Sequence, residues 1–442
     1  MTLRSSPLVR SALVATIAAT LCFSATFATG SNEFIVHRFG PPPNVQGCLP
    51  QGNLVADSAG NLYGTADCGA SNRGVVFKMT RPVPPSTAWT ESVLYSFTGN
   101  QDGLMPVEGV IFDAAGNLYG TTVDGGVFGL GMVFELSPPP AGQNSWTETV
   151  LHSFQGGASD GAMPTSGLIW DHSGNLYGVS WVGGHAARGN CPQGCGAVYE
   201  LSPPAASASP WTVTVLHSFN VVNGANPFGN LVFDAKGYLY GTTLHGGESN
   251  FGVAYKLAPS TRTFIVLHVF SGADGAQPNG GMTFHGRGVL YGTTGAGGGS
   301  SGVGCGNVGC GTVFQLVPPT ITGGAWTENV LYAFTGLDDG AGPNPGVIFD
   351  AAGNLYDAAS GGGGAECTPE ATGCGVVFKL SPPAAGGSTW TETVMHAFPS
   401  SASDAAFPSS GLILGEHGIL FGIAESNGIN ATDGGAVYGI IK

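Results

Sequence analysis

"GNLYGTT" stands at Gly116–Thr122. Six near copies surround it: "GNLYGTA" from Gly60, "GNLYGVS" from Gly174, "GYLYGTT" from Gly237, "GVLYGTT" from Gly288, "GNLYDAA" from Gly353 and "GILFGIA" from Gly418. Their aromatic anchors, Tyr63, Tyr119, Tyr177, Tyr240, Tyr291, Tyr356 and Phe421, lie 51 to 65 residues apart. Self-similarity at such a period is the mark of a repeat architecture, in which each copy is one supersecondary unit. A phrase written seven times reads as a building block rather than as seven catalytic sites.

The second copy shows what the block contains. "GVIFD" from Gly109 is followed by a tight turn, then "NLYGTT" from Asn117 and the loop "VDGGVFGLG". Next come "MVFEL" from Met132, the connection "SPPPAGQNS" and "WTETVLHSF" from Trp146. These pieces are short, rich in β-branched and aromatic residues, and bounded by Gly and Pro, so they read as four strands. One four-stranded sheet cannot cover both of its own faces. Neighbours in a ring can, which permits strands that are apolar on both sides.

The ends of the chain fit a ring. The fourth-strand phrase appears first as "IVHRF" at Ile35–Phe39, before any other piece, and the last repeat stops at its third strand, "AVYGIIK" from Ala436. Seven of each piece are present, but the set is circularly offset. The expectation is an all-β, seven-bladed β-propeller of four antiparallel strands per blade over residues 33–442, with Ile35–Phe39 completing the last blade and hiding its edge.

Charged residues make up only 9% of the 442-residue chain, against 75 glycines. That balance suits turn-dense β structure and not helices. Arg4 and Arg10 followed by the apolar or small run Ala12–Phe27 read as an export leader over residues 1–28. Its loss takes the 13 basic residues to 11 against 28 acidic ones, a balance of −17. Nucleic acid and anionic lipid are thereby disfavoured as partners, since both need basic surface. No later stretch is long and apolar enough to span a bilayer, so the mature chain is expected to be secreted or periplasmic.

Eight cysteines follow the leader: Cys48, Cys68, Cys191, Cys195, Cys305, Cys310, Cys367 and Cys374. An even count in an exported chain favours disulfides. Three pairs are local in sequence. Topology puts Cys48 and Cys68 on the same face of blade one, which makes them the fourth pair. Each local pair sits in a different repeat, so no zinc-type cluster is expected, and no motif calls for a cofactor.

The repeat resembles that of the choice-of-anchor, tandem repeat GloVer-containing proteins, a family of exported bacterial chains. The resemblance is carried by the Gly–Asn–Leu–Tyr–Gly–Thr–Thr core, the "GG" after it and the Val–Phe–Glu/Lys–Leu strand, and it covers nearly all of Ile35–Lys442. The family has no established activity, so the resemblance implies no catalytic residue.

Alternating strand direction sends the loops between strands two and three, and those between blades, to one face. That face holds every mature cysteine and the variable loops, and loops on a rigid scaffold carry function. Two features stand out there. A recurring Asp–Gly–Ala–x–Pro lead-in loop supplies Asp102, Asp160, Asp274 and Asp339. Asp in such a turn accepts backbone N–H groups, so this acidic ring reads as structural. The second feature is the pair of residues after each "YGTT"-type strand, which differs in every blade. It supplies the ligand-contact candidates Asp67, Asp124, Trp181 and His245, with His185 nearby. An exposed Trp can stack on a sugar. The reading is a non-catalytic binding or scaffolding module for extracellular carbohydrate or a surface protein. The rival is a hydrolase or lyase at the central channel.

Overall fold

All five residues of the strand Leu118–Thr122 are buried, as are the first five of its counterpart Leu239–His245. A strand with no solvent face must be covered on both sides, and that requirement organises the molecule. The computed structural model describes residues 32–41, 44, 46–69, 72–185, 191–205, 209–299, 305, 308–321, 323–344, 346–364, 373–384, 387–399, 404–426 and 434–442. The leader over residues 1–28 lies outside them.

Seven antiparallel sheets follow one another in chain order, a seven-bladed β-propeller. Blade one is Cys48–Ala56, Leu62–Cys68, Val75–Thr80 and Thr90–Ser96. In blade seven the outermost strand is Glu33–Arg38, paired with Ala436–Ile440 in the register Glu33↔Ile440 and Arg38↔Ala436. The offset read from the chain ends therefore closes the ring. Among the described residues the helical content is one 3₁₀ turn, Glu416–Gly418, and no helix is long and apolar enough to cross a membrane.

The first strand differs from its sequence reading. In blades one, three, four, six and seven the Gly–Ala–x–Pro lead-in is not a separate loop but pairs with the end of the second strand, while in blades two and five it makes the single bridges Leu104–Asp124 and Ala276–Ala296. In blade four it runs unbroken from Ala225 to Phe233, with a register shift between Phe228 and Val232. In blade three it is split into Gly161–Pro164 and Ile169–Trp170, both paired with Leu176–Gly183.

The shift has a backbone cause. The residue before each of these prolines is left-handed: Leu49, Met105, Met163, Asn226, Gln277, Gly342 and Phe407 have φ of 53 to 60°. Each donates its N–H, at 2.7–3.1 Å, to a carbonyl of the preceding blade, from Leu49 to Gly434 through Phe407 to Cys374. The proline that follows packs against the glycine that opens the third strand of that blade. Pro164 lies on Gly131, Pro408 on Gly375, and Pro50 on Gly435 across the closure.

Outside this seam, each blade meets the next through an aromatic pair. Phe97, fully buried at the end of blade one, packs edge-on against Phe134 of blade two at 5.2 Å. The same contact recurs through Phe398–Tyr438 and, at the closure, Phe39–Phe77. Such pairs contribute about 0.5–1.5 kcal/mol each beyond their burial. Tyr240 meets Trp326 and Tyr291 meets Trp390, so tryptophans that precede the fourth strands also pack between blades.

The seam can be tested with two glycines of equal backbone strain. Gly131 has φ +88° and an added Cβ would lie 2.6 Å from Pro164 Cδ. Gly142 has φ +86° with nothing within 4 Å. Gly142→Ala should cost about 1 kcal/mol for the backbone alone. Gly131→Ala should cost at least ~2 kcal/mol more, because its Cβ would meet both the Thr122 carbonyl of its own blade, at 2.4 Å, and Pro164 of the next. Urea-unfolding midpoints would measure both, and equal losses would show that the seam carries no load.

Candidate functional site

The second strands present their ends at the mouth of the central channel. Their threonines anchor them there. Thr65 Oγ1 donates to the carbonyl of Glu108, Thr242 Oγ1 to Gly280 and Thr293 Oγ1 to Asn344, each in the next blade. The residues that follow are held on a fixed ring but differ in kind. Blades seven and one supply Glu425 and Asp67, blades two to four Val123, Trp181 and Leu244, and blades five and six Gly295 and Ser360.

Trp181 is half-buried, with its ring edge-on to Phe228 of the next blade at 6.1 Å, and its carbonyl accepts from Asn226 Nδ2 at 3.2 Å. Asp67 is half-buried, and its Oδ1 has no hydrogen-bond partner among the described residues. Burial, with the charge of Glu425 second, pushes its carboxyl up to about 7. Burial raises Glu425 too. Between blades five, six and seven lies a depression of about 530 Å³, lined by Gly295, Gly342, Ser360, Gly362, Phe407 and Glu425. Deeper in the ring, Glu108 is partly reached by solvent yet enclosed by protein, as a channel-wall residue is. Burial pushes its carboxyl up to about 8.

The other candidates scatter. Asp124 pairs through its backbone with Leu104, and its carbonyl accepts from Thr122 Oγ1. His245, half-buried, ends its strand opposite Ala225. His185 is exposed and lies away from the mouth, lining a depression of about 510 Å³ with His217 and Arg262.

The lead-in aspartates are occupied by their own loops. Asp102 accepts from Tyr95 Oη, Thr98 N and Thr98 Oγ1. Asp339 repeats this with Tyr332 and Thr335. Asp160 lies 3.1 Å from His152 Nε2 and Asp274 3.0 Å from His268 Nε2. The strand position shared by His and Tyr thus exists to meet the next lead-in loop.

Sequence reasoning missed two acidic sets. Asp57, Asp113, Asp171, Asp234 and Asp350 each accept the hydroxyl of the tyrosine six residues on. The other set is Glu91, Glu148, Glu328 and Glu392, two residues after the blade tryptophans. Burial pushes each up to about 7. The signal was visible in the repeated "WTE".

Three disulfides join Cys48–Cys68, Cys191–Cys195 and Cys305–Cys310, with Cα separations of 5.1, 5.1 and 4.6 Å. Cys48 and Cys68 are direct register partners. Cys374 is disulfide-bonded, and Cys367 lies outside the described residues.

A family model described as the Gloeobacter/Verrucomicrobia repeat matches residues 19–191 and 186–438. The chain belongs to this repeat family. No curated protein matches it in sequence. Among solved structures it is similar to the extracellular domain of a one component system from B. thetaiotaomicron, at TM-score 0.50 and 8% identity, covering 92% of this chain and 40% of that one. It is also similar to a polysaccharide lyase of family PL25, an ulvan lyase, at TM-score 0.48 and 9% identity, covering 91% and 94%. At such identities the likeness is one of fold.

In this Gloeobacter/Verrucomicrobia repeat protein the raised Asp67 carboxyl has a stability consequence. Its folded pKa exceeds the unfolded value, so the folded state holds its proton longer, and stability falls as pH rises from about 4 to about 7. Asp67→Asn should therefore be neutral near pH 4 and stabilising above pH 7, on the order of 2 kcal/mol. Denaturant melts across this range would reveal it; a gain independent of pH would refute the burial of Asp67.

Proposed function

We propose that the mature chain is exported and acts outside the cytoplasm as a non-catalytic carbohydrate-binding module, with its site at the channel mouth. One observation carries this reading. On a ring whose scaffold repeats seven times, the second-strand ends form three unlike sectors: an acidic pair, an apolar wall and an open floor. Asp67 and Glu425 offer acceptors for sugar hydroxyls, Trp181 on Phe228 offers a stacking edge, and the floor near Gly295 and Gly362 gives room. Sugar sites combine these elements: a few placed polar groups beside an aromatic surface. The leader-like N-terminus and the disulfides support an oxidising compartment.

A second reading is favoured by the same carboxylates. Two acids whose pKa values are raised at a channel mouth are the equipment of a hydrolase or lyase.

A glycan array and calorimetry on the mature protein decide between them. The expected result is reversible binding of a neutral glycan without turnover. Trp181→Ala should weaken it at least about 10-fold, as losing an aromatic anchor does. Product formation abolished by Asp67→Asn or Glu425→Gln would favour the enzyme. A folded protein that binds no glycan would refute the carbohydrate reading.

A further inference from the structure

Six blade junctions bring together a histidine or tyrosine from one fourth strand and a residue of the next lead-in loop. Most junctions also hold a fourth-strand residue of the next blade. The repeat thus supplies its own controls. Tyr95 and Tyr332 donate to Asp102 and Asp339 at 3.2 and 2.9 Å. His152 and His268 meet Asp160 and Asp274 at 3.1 and 3.0 Å. His217 meets Asn223 at 3.2 Å and stacks flat on Phe264, with ring centroids 3.7 Å apart. Each of these polar contacts is closed.

The junction of blades six and seven is built differently. His396 Nε2 lies 3.6 Å from Asp404 Oδ2 and 3.6 Å from Glu33 Oε2, both beyond hydrogen-bond range. The three ligand atoms lie within 4.8 Å of one another. The His396 side chain is only 9% exposed, and its Nε2 has no hydrogen-bond partner among the described residues. Glu33 and Asp404 are 5% and 11% exposed. A buried imidazole nitrogen thus lies between two carboxylates at distances longer than a hydrogen bond. Tetrahedral Zn²⁺ with bonds of about 2.0–2.1 Å places its ligand atoms about 3.3–3.4 Å apart, close to the 3.6 Å from Nε2 to each carboxylate. One imidazole and two carboxylates form a donor set that suits a first-row transition ion better than Ca²⁺ or Mg²⁺.

We propose that Glu33, His396 and Asp404 form a binding site for a divalent transition-metal ion of the zinc class, which clamps the closure of the ring. The unpartnered Nε2 of His396 is the atom that would ligate the ion. Glu33 belongs to the strand that closes blade seven, and His396 to the outer strand of blade six. The ion therefore ties the first described strand of the chain to a blade formed near its end. The related group His268–Asp274–Glu328 is the natural control, because its imidazole is already engaged by Asp274 at 3.0 Å.

The test is Zn²⁺ titration of the mature, EDTA-stripped protein by calorimetry and thermal melting, with circular dichroism to verify folding. The expected result is one equivalent bound and a melting temperature raised by at least ~3 °C at saturation. His396→Gln should weaken binding by at least the ~100-fold that losing even an outer-shell partner can cost, and His268→Gln should leave it intact. Should His396→Gln fail to fold, ¹⁵N-histidine NMR of the wild type replaces it, with Zn²⁺ expected to shift the His396 ring nitrogen. The proposal is overturned if the folded wild type takes up no Zn²⁺, if His396→Gln binds as tightly, or if the His396 nitrogen does not move.

Discussion

The position of every blade depends on one contact, a proline ring laid against a glycine of the blade before it. Gly131 and Gly375 open third strands at φ of +88 and +95°, with Pro164 and Pro408 filling the space a side chain would need. The left-handed residue ahead of each proline gives its N–H to the same neighbour. A side chain at the glycine would part the blades, and a right-handed residue before the proline would turn its N–H away. The ring of backbone bonds ties each blade to the next near the channel, while the aromatic pairs outside it pack the blades together. Stability and site geometry thus come from different layers: apolar contacts hold the blades together and the seam decides how far apart their ends stand.

This separation explains what could be read from the sequence. Strand number and order were legible, because "LYGTT" and "VVF" are runs that only a doubly covered strand tolerates. The closure was legible from the offset of Ile35–Phe39, and Cys48–Cys68 from topology, since both reduce to counting strands. The seam was not. Gly–Ala–x–Pro has the composition of a loop, and nothing local says that its N–H reaches another blade. The partnership of His152 with Asp160, or of Tyr95 with Asp102, was hidden for a related reason. The aspartates stood out as a loop feature, but only the turn between blades brings the strand residue to them. A signal did exist within the chain: where Asn223 replaces the aspartate, Phe264 replaces the glutamate, and the junction changes from polar to stacked.

The mouth was legible as a place and not as a chemistry. Variation at the ends of the second strands marked Asp67 and Trp181, but sequence separation concealed that Asp67 and Glu425, from blades one and seven, share one electrostatic environment. The same concealment covers Glu33, His396 and Asp404. Metal-binding spacing is sought within a few tens of residues, whereas this set spans the chain and meets only because the ring closes.

Departures from the repeat gather around that closure. Blade six replaces the glycine of "LYGTT" with Asp357, which is fully buried. Its Oδ1 accepts from Ala358 N and its Oδ2 has no hydrogen-bond partner among the described residues. Burial forces its carboxyl well above the usual range. Its charge bears on Tyr438 of blade seven, as that of Glu425 bears on Asp67 of blade one. A scaffold free to repeat a glycine has no stability reason to bury a carboxyl there, since an unpaired buried acid is costly. Local rules broken without a structural gain are the places where selection for something other than stability shows. Here they fall in three consecutive blades, six, seven and one, on both sides of the strand that completes the ring. The buried acids and the closure therefore share one sector, and whatever tightens or loosens the Glu33–Arg38 strand bears on the blades that carry Asp67 and Glu425.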